Sequence, residues 1–248
     1  IAMLSPDGFF EEDLAVRIKD KLAAEVVVAP IALTRGTITN PDGSLRVTNV
    51  QVLGVDERFW KLAPDFSHTP LGAWSMKKEY PEWGSGRFFV NERLGKRLNM
   101  GRDERLILRM EEPSMFSRDA PLSGERDNKF VTMNNSFGGI IPALGFGNFG
   151  LQGNQREPLT LFVPLNSLQK KLFRSLDEIS GNTQFANFLL IGVPNEAEVD
   201  LELAKKAMDK SWTLEDAGIE IKELRNSNEW SIRTWQVFLS DSLAKQAS

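Results

Sequence analysis

The longest apolar pattern in the chain runs from Val26 to Trp60, VVVAPIALTRGTITNPDGSLRVTNVQVLGVDERFW. β-Branched and aliphatic residues crowd Val26–Thr39, a composition that fits a pleated, half-buried surface. Asn40-Pro41-Asp42-Gly43 interrupts the run: proline presets one dihedral, and Asp-Gly tolerates a positive φ. Arg46–Val55 resumes it, with Val50, Val52 and Leu53 turned inward. The spacing predicts a long β-hairpin. Its tail, Gly54-Val55-Asp56-Glu57-Arg58-Phe59-Trp60, carries two aromatics that must bury.

Helical periodicity precedes the hairpin. Phe10, Leu14, Ile18 and Leu22 recur every fourth residue and predict an amphipathic helix from about Phe9 to Ala24, with Glu11, Glu12 and Asp13 in a first turn that the macrodipole favours. After the hairpin, Lys61–Arg87 is broken by Pro64, Pro70, Gly72, Pro81, Gly84 and Gly86. Phe88–Val90 reads as a short strand, and Asn91 as the cap of a helix that buries Leu94 and Leu98 and ends at Gly101. Arg105–Met110 alternates like a strand and stops at Glu111-Glu112-Pro113; Ser114–Asn128 is a polar loop. Phe130–Gln155 is the most glycine-rich part, and Gly145–Gly150 within it reads as a flexible or kinked loop that buries Phe146 and Phe149. Leu159–Val163 is a buried strand, followed by a helix opened at Pro164 and Asn166 or Ser167 and running through Leu168, Leu172 and Leu176. Ala186–Val193 is a strand. Asn195 to Glu198 resembles a capping box, opening a helix with Val199, Leu203, Ala207 and Met208 on its buried face. Gly218–Leu224 and Trp230–Leu239 are strands about an Asn-Ser-Asn turn, and Ser240 or Asp241 caps a last helix that Ser248 cuts short.

The order helix–strand–strand at the start and strand–helix–strand–strand at the end predicts an α+β fold with a porter-like split β-α-β lobe: one sheet, two helices on one face. The expected division is 1–75 and 180–248 for that lobe. Residues 76–179 form an inserted mixed α/β lobe.

Composition narrows the function. The 248 residues carry a net charge of −4 from thirty basic and thirty-four acidic residues, with 41% hydrophobic and 26% charged content. This is an ordinary globular balance, and it lacks the basic excess of a nucleic-acid binder. There is no cysteine and one histidine, His68. Thiol chemistry, zinc sites of the cysteine type and paired-histidine metal sites are thereby excluded. No apolar run reaches the roughly eighteen residues of a membrane helix. The chain opens on Ile1-Ala2 without an initiator methionine, and it reads as a piece of a longer protein.

Candidate chemistry is sparse. Glu11, Glu12 and Asp13 could suggest a metal site, but they read more simply as a solvated helix start. Trp74, Tyr80 and Trp83 pin a long loop, and His68 lies in that loop without a partner histidine. Gly145-Phe146-Gly147-Asn148-Phe149-Gly150 matches G-x-G-x-x-G, but lacks the strand before it and the helix after it that a dinucleotide needs. Asp56 with Glu57, and Glu111 with Glu112, are the acid pairs a carboxylate-based hydrolase would use, yet neighbours on a strand face opposite sides. The expected set of catalytic, cofactor-binding and metal-ligating residues is therefore empty.

Three stretches carry a family resemblance. Gln51-Val52-Leu53-Gly54-Val55-Asp56-Glu57-Arg58-Phe59-Trp60 resembles the V-x-G-V-d-x-x-F/Y stretch of the extracytoplasmic domain of MacB/FtsX-like ABC transporter permeases. Phe89-Val90-Asn91-Glu92-Arg93-Leu94, through Leu98, Gly101 and Asp103, is similar to that family's next segment. Phe162-Val163-Pro164-Leu165 resembles its v-P-L before a helix. The resemblance implies a non-catalytic periplasmic domain of an inner-membrane protein, placed between the first two transmembrane helices. Its expected partners are the permease's own membrane helices, a cytoplasmic ABC ATPase, a second permease in a dimer, and cargo or periplasmic proteins. The domain would transmit ATP-driven conformational change. The longer Gly/Phe-rich middle departs from the family pattern. The alternatives are a free-standing extracytoplasmic ligand-binding protein and the carboxylate-based hydrolase.

Overall fold

The structure, a computed structural model, describes residues 1–4, 8–63, 86–99, 101, 104–112, 130–150, 157–173, 183–194, 198–216, 219–223 and 230–234. In chain order its strands are β1 (Ala2–Leu4), β2 (Phe10–Glu11), β3 (Val27–Thr39), β4 (Arg46–Val55), β5 (Phe88–Asn91), β6 (Arg105–Glu111), β7 (Phe130–Ile141), β8 (Thr160–Pro164), β9 (Phe185–Ala186), β10 (Phe188–Gly192), β11 (Ile219–Glu223) and β12 (Trp230–Thr234). Its helices are α1 (Leu14–Lys19), α2 (Glu57–Lys61), α3 (Glu92–Leu98), α4 (Leu165–Leu172) and α5 (Leu201–Asp209). The fold is mixed α/β and dominated by its sheet.

The hairpin forms as its sequence directs. Gly43 takes φ +74° in the turn, the Asn40 carbonyl oxygen of the side chain accepts the Leu45 N–H at 2.8 Å, and Asp42 accepts the Ser44 N–H at 2.9 Å. That backbone hydrogen bond holds the Asp42 carboxyl below its ordinary value. β4 carries a bulge: Gly36 faces Val50 but Ile38 faces Val47, so β4 holds one residue more than β3 over this interval. Within it Asn49 adopts φ 57°, a conformation that asparagine tolerates better than most residues, and its side chain accepts from Arg35 at 2.5 Å. Bulges bend and twist a ladder, and here the bend lets β6 reach the free edge of β3 at Gly36–Thr39.

The pairings then close on themselves. β3 pairs with β4, β4 with β8 in parallel, β8 with β5, β5 with β7 in parallel, β7 with β6, and β6 with β3. The result is a six-stranded barrel. Val50, Val52, Val90, Leu106, Leu108, Met133, Leu161 and Val163 share its buried core with Leu94 of α3 and Leu168 of α4. Outside the barrel, the first half of β3 continues into a second sheet with β10 and β1. There Leu14, Ala15 and Ile18 of α1 and Ala204 and Ala207 of α5 bury one face against Val26, Val28, Leu189 and Ile191. A third core joins the two parts: Phe59 and Trp60 of α2 with Ala29, Ile31, Leu53, Phe162 and Phe188. Residues 1–75 and 180–248 meet at β3–β10 and β1–β10, while 76–179 supplies β5–β8 to the barrel. β11 and β12 pair with each other.

Several local expectations need correction. The predicted helix from Phe9 to Ala24 is reduced to Leu14–Lys19, because Phe10-Glu11 pairs instead with Phe185-Ala186 and the Glu12 N–H donates to Gln184. The acidic residues therefore precede α1 rather than occupy its first turn. The glycine-rich stretch opens with β7, a twelve-residue strand. Its polar Asn134 and Asn135 hide the alternation, but the ladder to β6 is complete from Phe130 to Ser136. α3 ends at Asn99 in a left-handed conformation, φ 45°, rather than at Gly101. The strand expected over Ala186–Val193 is interrupted at Asn187. α5 is capped by Asp200, whose carboxylate accepts from Glu202 and Leu203 N–H groups, and Leu203 is exposed where burial was expected. The expectations at residues 64–85, which include His68, Trp74, Tyr80 and Trp83, and at Leu176, Asn195 and Ser240–Ser248 lie outside the described residues.

Gly54 makes the barrel end closable. A Cβ there would meet Leu168 Cδ2 at 2.7 Å and Leu168 Cβ at 3.2 Å, so α4 can seat Leu168 in the core only over a residue without a side chain. Gly54→Val is expected to destabilise the fold by about 1–3 kcal/mol through overpacking. Urea unfolding checks this, and Leu168→Ala in the same chain should recover part of the loss.

Candidate functional site

Of the charged side chains that the sequence singled out, Glu11, Glu12, Asp13 and Asp56 lie where the second sheet meets the barrel, but they do not converge on one point. Asp56 follows β4 with extended backbone and caps α2, accepting the Arg58 N–H at 2.8 Å. Arg58 folds back over this corner. Its Nε donates to Asp56 Oδ2 at 2.8 Å, and a terminal nitrogen donates both to Asp56 and to Glu12 Oε1. The other Glu12 oxygen accepts from Gln169 Nε2 of α4 at 2.9 Å, and the same nitrogen donates to the Phe185 carbonyl at 3.0 Å. One chain of bonds thus joins the β4–α2 corner, the approach to α1, the barrel-plugging α4 and β9. Burial works against the Arg58 charge, but its hydrogen bonds and charge pairing with Asp56 and Glu12 outweigh this and raise its pKa above the ordinary value.

A second network sits on the far side of α1. Arg17 donates to Asp13 at 3.1 Å, to the Ser211 carbonyl at 3.2 Å, and to Asp216. Asp216 is buried, and the oxygen facing Arg17 also accepts from the Thr213 N–H at 2.9 Å and hydroxyl at 3.0 Å. Lys21 donates to the Ser211 hydroxyl at 2.8 Å. These bonds fasten α1 to the turn that follows α5. Between the two networks lies an open cleft of about 310 Å³, lined by Glu11, Glu12, Asp13, Val16, Thr183 and Gln184.

This geometry assigns each acid a different task. Glu12 bridges Arg58 and Gln169, and Asp13 pairs with Arg17 one turn on. Glu11 stands apart: burial, then the nearby Asp216 charge, raises its carboxyl above the usual carboxylate range. Among the described residues no group of three histidine, aspartate or glutamate side chains is arranged to hold a metal ion. Asp56 and Glu57 part company, since Asp56 caps α2 while Glu57 pairs with Lys61 at 3.6 Å. Glu111 closes β6, and Glu112 follows it.

The Gly145–Gly150 stretch is a turn. The N–H groups of Gly145 and Gly147 both donate to the Pro142 carbonyl, and that of Phe149 to Phe146. A Cβ on Gly147 would lie 2.5 Å from the Ile141 and Pro142 carbonyl oxygens, so the glycine is needed for the tight fold of the chain. The turn lays Phe146 and Phe149 on Phe59, with ring centroids 5.1 Å and 5.3 Å away. Both rings are partly buried. Three of the backbone donors of this stretch, those of Gly145, Gly147 and Phe149, are thus engaged within the turn.

Sequence reasoning did not reach Arg17, Arg58, Gln169 or Asp216 as partners. Their pairings span up to 199 positions, and no local spacing records them. Arg58 does stand two residues after a helix-capping Asp56, which signals the local half of its network.

Two outcomes test this arrangement. The raised Glu11 pKa means that the folded state binds a proton there more readily than the unfolded chain. The stabilisation that this proton brings is complete below the unfolded value and is lost as pH rises through the folded one. Glu11→Gln should therefore be more stable than the parent at neutral pH, with the difference vanishing as pH falls through the carboxylate range; paired thermal melts measure it. A double-mutant cycle with Arg58→Met and Glu12→Ala should give a coupling of about 1–2 kcal/mol, above the range of exposed pairs, because both side chains are about three-quarters buried.

No protein-family model matches the chain, and no curated protein matches it. Among solved structures, it is similar to the crystal structure of the periplasmic region of MacB from Actinobacillus actinomycetemcomitans, at 10% sequence identity over 96% of this chain and 82% of that one, with a TM-score of 0.45.

Proposed function

We propose that this chain is the extracytoplasmic domain of a MacB/FtsX-like ABC transporter permease. In this reading it does no chemistry of its own, and it passes ATP-driven conformational change to cargo or partner proteins outside the inner membrane. One observation carries the proposal. The three stretches that resemble the family are three strand-to-helix corners on adjacent strands: β4–α2, β5–α3 and β8–α4. Each has a local reason for its residues. Gly54 admits Leu168. Asn91 caps α3 at Leu94 and ties that corner to β8 through the Thr160 N–H at 3.2 Å and the Pro158 carbonyl at 2.8 Å. Pro164 and Leu165 turn β8 into α4. Motifs scattered over more than a hundred positions thus fall on three neighbouring strands of one barrel, two of the corners at one end and the β5–α3 corner at the other.

The remainder follows as proposal. The two lobes are residues 1–75 with 180–248, and 76–179 between them, joined through β3 and β4. The chain's ends lead into membrane helices of the same permease, the ATPase is a separate cytoplasmic subunit or domain, and the permease works as a dimer in the membrane. Among the described residues no helix is long and apolar enough to cross a membrane.

The test uses the full-length protein and the absence of native cysteine in this domain. Cysteines at Glu12 and Gln169, whose side chains meet in the parent, are bridged by a short bismaleimide. The unbridged dithiol protein is expected to support transport, scored by the host's dependence on the gene, and the bridged protein to fail while ATP binding persists. Normal transport by fully bridged protein would exclude a transmitting role, as would a gene that encodes no hydrophobic helices beside this segment.

A further inference from the structure

β3 is thirteen residues long, yet it changes partners along its length. Over Val27–Ile31 it pairs with β10. From Ala32 it pairs with β4 on the opposite edge. From Gly36 it gains β6 on the edge that β10 has left. β6 and β10 share an edge, because β10 and β4 flank β3 on opposite sides and Gly36, Ile38 and Thr39 face β4 on one side and β6 on the other. Among the described residues, none of the strands therefore gives a residue between Val27 and Arg35 a partner on both sides. The second sheet and the barrel are joined through a segment of single-sided ladder.

Asn187 occupies the crossing point. Its backbone N–H donates to the Ile31 carbonyl at 3.2 Å. Its side-chain oxygen accepts the Leu33 N–H at 2.7 Å, and its side-chain nitrogen donates to the Leu33 carbonyl at 2.8 Å. A carboxamide carries one acceptor and two donors, so it reproduces the pair of bonds that a strand residue would make. It fills the place along β3 between Ile31, where pairing with β10 stops, and Gly36, where pairing with β6 begins. The same residue divides β9 from β10, which frees its side chain to turn toward β3.

From this geometry we infer that Asn187 is a latch on a hinge in β3. With the amide in place, β3 is continuous and the second sheet and barrel move as one body. With the amide withdrawn, the single-sided stretch at Ala32–Arg35 flexes, and the second sheet, with α1 and α5, tilts against the barrel. The inference concerns the isolated chain and holds or fails independently of the transport reading.

Native-state hydrogen exchange and spin-label distances test it. In the parent, the Leu33 amide should exchange through a local opening, more readily than the amides of Ala29, Ile31, Ile38 and Thr39. Asn187→Leu keeps side-chain size and removes both bonds. It should speed Leu33 exchange by roughly ten- to thirty-fold, the factor that two hydrogen bonds of ordinary net strength represent, and leave the flanking amides unchanged. Labels at Leu203 on α5 and Phe130 on β7, both exposed, should show a broadened distance distribution in the variant. If Leu33 in the parent exchanges only with global unfolding, the latch is refuted, and this measurement stands even where the variant fails to fold. Equal acceleration of all β3 amides, or an unchanged distance distribution, would refute it too and leave Asn187 as a residue of general stability.

Discussion

The architecture depends on one strand that serves two sheets. A backbone edge can hold one partner at a time, so β3 can belong to the barrel and to the second sheet only by handing its edges from β10 to β4 and β6 along its length. Everything built on either side follows from where that exchange occurs. Pro30, which has no N–H to give, sits in the half of β3 paired with β10, before β4 begins its pairing at Ala32, a place where a missing donor is tolerated. The bulge at Asn49 curls β4 just beyond the exchange and brings β6 within reach. Asn187 covers the gap.

Apolar packing, rather than charge, supplies the stability of the parts. A six-residue helix such as α1 is unstable alone. Complete burial of Leu14 and Ile18 contributes about 1.5–3 kcal/mol each, more than the exposed Arg17–Asp13 pair can. The charged networks act on orientation instead. Arg58 can satisfy Asp56 and Glu12 together only when the approach to α1 lies over the β4–α2 corner, and Gln169 reaches Glu12 only when α4 is seated in the barrel mouth. Breaking the Arg58–Glu12 pair leaves the partly buried Glu12 charge without its cation, and breaking the Gln169–Glu12 bond removes a donor to that charge, so the networks favour one relative placement of sheet and barrel.

The glycines divide into two kinds. Gly54 and Gly147 stand where any Cβ would strike a neighbour, so they are requirements of close approach. Gly43 has open space around it and serves its positive φ in the hairpin turn. The nucleotide-like spacing of Gly145, Gly147 and Gly150 arises from a turn that folds under Pro142 and carries two phenylalanines onto the third core.

Local chemistry was legible in the residues themselves. The β3–β4 hairpin, the Asn91 cap, the short buried strand before α4 and the pairing partners β11 and β12 could be read because periodicity, proline, glycine and capping residues act within a few positions. The stripe of Phe10, Leu14, Ile18 and Leu22 announced a buried face, though tertiary pairing with β9 took Phe10 into a strand. β7 escaped notice because Asn134, Asn135, Gly138 and Gly139 interrupt the alternation that marks a strand. Only the tertiary structure decided that the barrel closes, which acid meets which arginine, and where Asn187 points. Those outcomes depend on contacts between residues that the chain brings together from far apart, and the free energy of such contacts leaves no period and no spacing in the sequence.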